Sequence, residues 1–191
     1  MKVSREQATE NRERVLQTAG TLFREKGFDG VAVADIMKAA GLTHGGFYGQ
    51  FASKDALVAE ACADVMARAA KRWSELSVRE DPLATLVGSY LSPQHRDTPG
   101  RACALPSLAA EAARSPAPVR AAFTTGLRNF IDILTKYVPG RSKSARRSQA
   151  LVTMSGLVGA MVLARAVDDA EFSAEILRTA AAAFGKPSGP R

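Results

Sequence analysis

Apolar residues recur at three- and four-residue spacing along almost the whole chain, and no run alternates in the manner of a strand. Val15, Ala19, Leu22 and Phe23 share one helical face. Ser4 and Gln7 stand ahead of that face at capping-box spacing, and Gly27 ends it from the position after the helix. A short helix is expected over residues 34–40, closed by Gly41, and a third over residues 44–51, capped by Thr43. Ser53 caps a fourth, with Asp55 in its first turn where a carboxylate suits the helix dipole. That helix can run to about residue 77.

Asp81-Pro82 starts the next helix, with Leu83, Leu86, Val87 and Tyr90 at helical spacing. Residues 92–100 are polar and carry prolines, which predicts a loop. A helix over residues 102–114 follows. Ser115-Pro116 then opens one whose stripe is Val119, Ala122, Phe123, Leu127, Phe130 and Leu134. Pro139-Gly140 breaks the pattern. Arg141, Lys143, Arg146 and Arg147 lead into the penultimate helix, and the last covers residues 171–184. The fold class expected is all-α. A three-helix helix-turn-helix domain spans residues 1–52, a larger helical bundle spans 53–185, and 186–191 form a disordered tail.

Composition narrows the function less than the pattern does. With 46% hydrophobic residues among 191, the chain can bury a core. A formal net charge of +7 favours an anionic partner such as nucleic acid. In the first sixty residues, however, Lys2, Arg5, Arg12, Arg14, Arg24, Lys26, Lys38 and Lys54 are balanced by Glu6, Glu10, Glu13, Glu25, Asp29, Asp35, Asp55 and Glu60. Charge therefore does not mark the module, and a motif has to. The amino end lacks an apolar leader core, and no apolar run approaches the ~20 residues of a membrane span. The expectation is a cytosolic protein with no membrane partner and no structural disulfide between Cys62 and Cys103. Only His44 and His95 are present, without a metal-ligand cluster or phosphate-cradling loop. Catalysis, a metal and a cofactor are not expected.

Helix, short helix, glycine turn and second short helix is the order of a helix-turn-helix. Ala39-Ala40-Gly41-Leu42-Thr43 supplies the turn, where Gly41 permits a left-handed backbone. The next segment, Thr43-His44-Gly45-Gly46-Phe47-Tyr48-Gly49-Gln50-Phe51, is a poor helix by propensity, since each glycine costs about 1 kcal/mol relative to alanine. It can be a flexible loop. Alternatively, its glycines let a recognition helix approach DNA, with Tyr48 and Gln50 reaching phosphates or base edges and Phe47 and Phe51 anchoring from behind.

On these residues the sequence resembles the TetR family of bacterial regulators. The resemblance is dense over residues 12–60: Phe23, Gly27-Phe28, Ile36, Ala40-Gly41-Leu42-Thr43, Gly45, Phe47-Tyr48, Phe51 and Ser53-Lys54-Asp55-Ala56-Leu57. It implies that Thr43 caps the recognition helix, that His44, Gly45 and Gly46 face the duplex, and that Tyr48 and Lys54 contact phosphate. Gln50 stands where the family prefers His or Tyr, and Val31 and Ala32 stand where Thr or Ser caps the second helix.

The resemblance further implies a dimeric repressor of a double-stranded operator, with a second domain for ligand binding and dimerisation. Leu151, Ser155, Gly156, Gly159, Ala160 and Leu163, with Leu177 on the last helix, are candidates for a homodimer seam; packing within one subunit is the alternative. The segment from Cys103 to Glu111 resembles a G-C-x-x-x-x-L-A-x-E stretch of a TetR subgroup, with Arg101-Ala102 in place of the glycine. Cys103, near Arg96 and Arg101 in sequence, is a candidate sensor of an electrophile or oxidant. A buried packing role is its alternative, and Cys62 is expected to be packing. The inducer, whether a small molecule or a thiol reagent, is not specified by the sequence. A non-specific architectural DNA binder is the rival class.

Overall fold

Capping and glycine signals divide the chain into nine α-helices among the described residues, which are 5–76 and 78–185 of the computed structural model. They are α1 (Arg5–Lys26), α2 (Val33–Ala39), α3 (Lys54–Leu76), α4 (Pro82–Tyr90), α5 (Pro93–Asp97), α6 (Ala104–Ala112), α7 (Ala117–Leu134), α8 (Lys143–Ala166) and α9 (Ala170–Phe184). Two 3₁₀ turns, His44–Gly46 and Pro99–Arg101, complete the order, and the fold is all-α. Ser4, one half of the expected capping box, and the tail 186–191 lie outside the described residues.

Most boundaries follow local chemistry. Gly27 leaves α1 at φ +77°, and Gly41 follows α2 at φ +71°, the only two residues at positive φ among those described. The Ser53 Oγ accepts from the Ala56 amide at 3.1 Å at the start of α3. Asp81, Ser142 and Asp169 cap α4, α8 and α9 through their side chains. Three expectations fail. The loop over 92–100 contains α5, because Ser92 accepts from the His95 amide and Pro93 suits the first helical position. The third helix over 44–51 is a 3₁₀ turn followed by an irregular turn, as three glycines in six residues allow. Leu127, placed in the buried stripe of α7, is 37% exposed.

Two compact units result, each discontinuous in sequence: Met1–Met66 with Pro99–Thr125, and Ala67–Thr98 with Gly126–Arg191. This partition by packing differs from the functional division expected at residue 52. The chain passes between units within α3, after Thr98 and within α7.

In the first unit, Val15, Ala19 and Phe23 of α1 are buried, as are Ile36, Met37, Phe47, Phe51, Leu57, Leu108 and Val119. Each large side chain so buried contributes roughly 1.5–3 kcal/mol. The Phe23 and Phe28 rings meet edge to face, 5.6 Å apart. Cys62 is buried in this core, and burial pushes its thiol up to about 12.

The second unit pairs α8 with α9 around Met154, Leu157, Ala160, Met161 and Leu177. Gly156 makes the approach possible: a Cβ there would lie 2.1 Å from the Phe184 ring. Helix α8 is long and apolar enough to cross a membrane by length and composition, which corrects the expectation that no such run exists. Its buried face packs on α9, and core helices pass the same test. Trp73 meets Phe130 at 4.9 Å and Tyr90 at 5.8 Å, and His95 meets Tyr90 at 4.5 Å. The His95 Nδ1–H donates to the Tyr90 carbonyl, because that acceptor fixes the tautomer. Arg165 donates to the carbonyls of His95 and Arg96, while Arg96 donates to Ser173 Oγ at 2.9 Å and to Asp97.

Candidate nucleic-acid interface

The turn after α2 delivers a short surface segment held by two aromatic anchors. Gly41 reverses the backbone, and the Leu42 amide donates to the Met37 carbonyl at 2.8 Å. Phe47 and Phe51 are buried and stack at 5.6 Å, fixing the segment from behind. The spacing of these two residues predicted that role. Arg12 of α1 lies over the ring of Phe51, 4.7 Å from its centre, and pairs with Glu60 of α3. The pair is part-exposed and worth little by itself, but it draws both helices to one aromatic ring.

Thr43, His44, Gly45, Gly46 and Tyr48 are exposed together on the opposite side. Tyr48 is 69% exposed. Its ring meets Phe47 edge to face at 5.1 Å and His44 at 6.3 Å. Lys54 begins α3 half-buried, in a polar cleft shared with Asp29, Glu111 and Arg114.

Two expected details differ. Thr43 occupies the cap position with an extended backbone, but its side chain makes no capping bond. A 3₁₀ turn closes through the Thr43 carbonyl instead, which accepts from the Gly46 amide at 3.1 Å. Gln50 turns inward: its Nε2 donates to the Gly46 carbonyl at 3.2 Å, and its Oε1 is buried. The second helix lacks a Thr or Ser cap, as its sequence requires, and the Asp35 carboxylate accepts the Ala32 amide at 3.4 Å.

The other candidates fall apart into two sets. Leu151, Ser155 and Leu163 are exposed on α8 with Val152 and Val162, and a Cβ at Gly159 would meet open space. Gly156, Ala160 and Leu177 face the chain's own core or Phe184. Cys103 caps α6 by position and is 5% exposed, a buried placement. Arg96, offered as its cationic neighbour, spends its guanidinium on Asp97 and Ser173.

A connection not expected from spacing ties α6 to α1. The Arg24 Nε donates to the Pro99 carbonyl at 3.2 Å, and its terminal nitrogen donates to the Gly100 carbonyl. Eleven residues beyond Gly100, Glu111 accepts the Phe28 amide. Glu111 stood in the quoted subgroup motif, but its partner is 83 residues away in sequence.

Residues 15–61, which contain this whole arrangement, match the family model described as bacterial regulatory proteins, tetR family. Over these residues the chain is similar to the TetR family. Among curated proteins, it is 31% identical over 87 residues to the HTH-type transcriptional repressor KstR2 of Mycolicibacterium smegmatis, covering 45% of this chain and 42% of that one. It is 46% identical over 46 residues to the HTH-type transcriptional regulator YvdT of Bacillus subtilis, covering 24% of each. The matched segments thus span less than half the length of these relatives. A TetR-family regulator from Agrobacterium tumefaciens superposes at a TM-score of 0.76 with 25% identity, over 93% of this chain and 98% of that one. The reduced form of E. coli NemR superposes at 0.75 with 23% identity, over 92% and 95%, a likeness of fold. Over the matched segment the chain is similar to HTH-type transcriptional regulators, and over most of its length to the fold of a TetR-family structure.

Proposed function

We propose that this regulator is a repressor that binds a palindromic double-stranded operator as a homodimer in the bacterial cytosol, acting by binding alone and leaving DNA when an inducer binds. The contrast across residues 43–51 carries the reading. Phe47 and Phe51 are buried, while Thr43, His44, Gly45, Gly46 and Tyr48 face solvent together. In this reading His44 and Gly45 approach base edges, and Tyr48 and Lys54 bind phosphates. Repression is supported by the name of the M. smegmatis relative, and only over the segment shared with it. Pairing is supported by the exposed apolar side chains Leu151, Val152, Val162 and Leu163 beside Ser155 and Gly159 on α8. Dimerisation through them would present two recognition segments to half-sites about 34–36 Å apart.

Release by a small molecule is the primary reading. Release by modification of Cys103 is the second, favoured by its place at the cap of α6, where an adduct would displace the first turn. The NemR structure is described as a reduced form, which names a redox state of that protein. The test is enrichment of duplexes from a random double-stranded pool by the full chain, followed by footprinting. A symmetric protected site is expected, and protection without any discrete palindrome would point instead to a non-specific DNA binder. For the second reading, oxidant should release the parent from that site and leave the Cys103→Ser protein bound. Equal release of both sinks it.

A further inference from the structure

One carbonyl in the recognition segment has two claimants on the same residue. The Gly46 carbonyl accepts from the Gln50 side-chain Nε2 at 3.2 Å. In an α-helix it would accept from the Gln50 backbone amide. That amide donates instead to the Phe47 carbonyl at 2.9 Å, one residue short of the helical partner. Immediately beyond, the Phe51 amide donates to Phe47 at 3.0 Å with α-helical spacing, so the irregular stretch is short. Its ends are pinned by the buried rings of Phe47 and Phe51 and by the 3₁₀ turn at His44–Gly46.

The glycines explain why the helix does not close. Gly45, Gly46 and Gly49 all have negative φ. A Cβ at Gly45 would meet nothing within 4 Å, and at Gly46 or Gly49 it would make ordinary contacts of 3.7 Å or longer. The observed conformation therefore requires none of them, yet together they lower helix propensity through the whole segment. A duplex can supply what is missing, because phosphates accept from the amides and hydroxyls at the start of a helix.

We infer that residues 43–51 complete their helix only on DNA, and that the Gln50 carboxamide holds the Gly46 carbonyl until the Gln50 backbone amide replaces it. The exchange frees the carboxamide, whose Oε1 is now buried without a hydrogen-bond partner among the described residues, to turn toward the duplex. Gln50 is thus a positioning residue before binding and a contact residue after it. This rests on the DNA-binding reading above.

Nuclear magnetic resonance of the full chain tests it, first free and then saturated with the duplex enriched from the random pool. Expected are Cα shifts at residues 44–50 that move to helical values on binding, with displacement of the Gln50 side-chain amide resonances. In Gln50→Met, of similar size without the donor, the Phe47 and Gln50 amides of the free protein should exchange roughly two- to tenfold faster, as for loss of one ordinary hydrogen bond. The complex of that variant should still be helical. A segment already helical when free, one still irregular on DNA, or unchanged exchange in the Met variant overturns the inference. A chain that enriches no duplex overturns the proposed function, and this inference with it. Binding with an unaltered segment overturns this inference alone.

Discussion

The Glu111 carboxylate accepts the Phe28 backbone amide at 2.6 Å, joining α6 to the turn that ends α1. A carboxylate beside the carbonyl end of a helix opposes the helix dipole, so the bond itself must justify the choice of residue. Glu111 Oε1 also lies 2.7 Å from where a Cβ at Gly27 would stand. Turn and carboxylate are fitted to each other. Glu111→Ala should lower stability by about 1–3 kcal/mol, the cost of leaving a part-buried amide unsatisfied. Glu111→Gln, which keeps an acceptor, should lose less. Urea unfolding gives both values, and faster exchange of the Phe28 amide in the Ala variant would locate the loss.

Glycine substitutions should divide by sign. Gly45→Ala adds a methyl into open space at negative φ and should raise stability by about 0.4–1 kcal/mol. Gly27→Ala, at φ +77° and against Glu111, should lower it by more than about 1 kcal/mol. Thermal unfolding of the two variants beside the parent reads the signs. A destabilised Gly45→Ala protein would show that the segment 43–51 needs glycine for its own conformation.

His95 gives the second unit a pH dependence. Burial pushes its imidazole down to about 4 from 6.5; the bond to the Tyr90 carbonyl opposes the shift, and the charges of Arg165 and Arg72 reinforce it. Between those values the unfolded chain binds the proton and the folded chain does not. Stability is therefore complete above about pH 6.5 and falls as pH drops toward 4, by on the order of 3 kcal/mol for this group. His95→Asn, which can still donate to the carbonyl, should flatten that part of the profile. Urea unfolding between pH 4 and 7 compares the two slopes.

Much of the fold is legible in local signals because those signals are local in origin. Gly27 and Gly41 mark the two positive-φ positions among the described residues, and Ser53 and Asp81 bond amides three residues away. The Phe47–Phe51 spacing fixes which side of the segment 43–51 faces in. What escaped depends on contacts distant in sequence, or on competition within one residue. Nothing near Glu111 names Phe28 as its partner, and Gln50 could as readily have pointed outward. Small residues on α8 cannot say which neighbour they admit: Gly156 admits the chain's own Phe184, while Gly159 faces open space. Ser92-Pro93 was a legible helix start, masked by the polarity of the residues after it.

The two thiols differ in their consequences. With its thiol raised to about 12 and buried, Cys62 should not react with a disulfide reagent in the folded Cys103→Ser protein at pH 8. Absorbance of the released thiolate should appear only on unfolding. Rapid labelling without unfolding would show that the first unit's core opens.

The central claim is that the exposed face of residues 43–48 reads DNA, and Tyr48 tests it most directly. Its ring is mostly exposed, so Tyr48→Ala should leave the melting temperature nearly unchanged. Fluorescence anisotropy with the enriched duplex, at fixed salt, should show affinity reduced by about tenfold or more for loss of a phosphate contact and its aromatic platform. A Tyr48→Ala protein that melts like the parent and binds the same duplex with equal affinity would contradict the account.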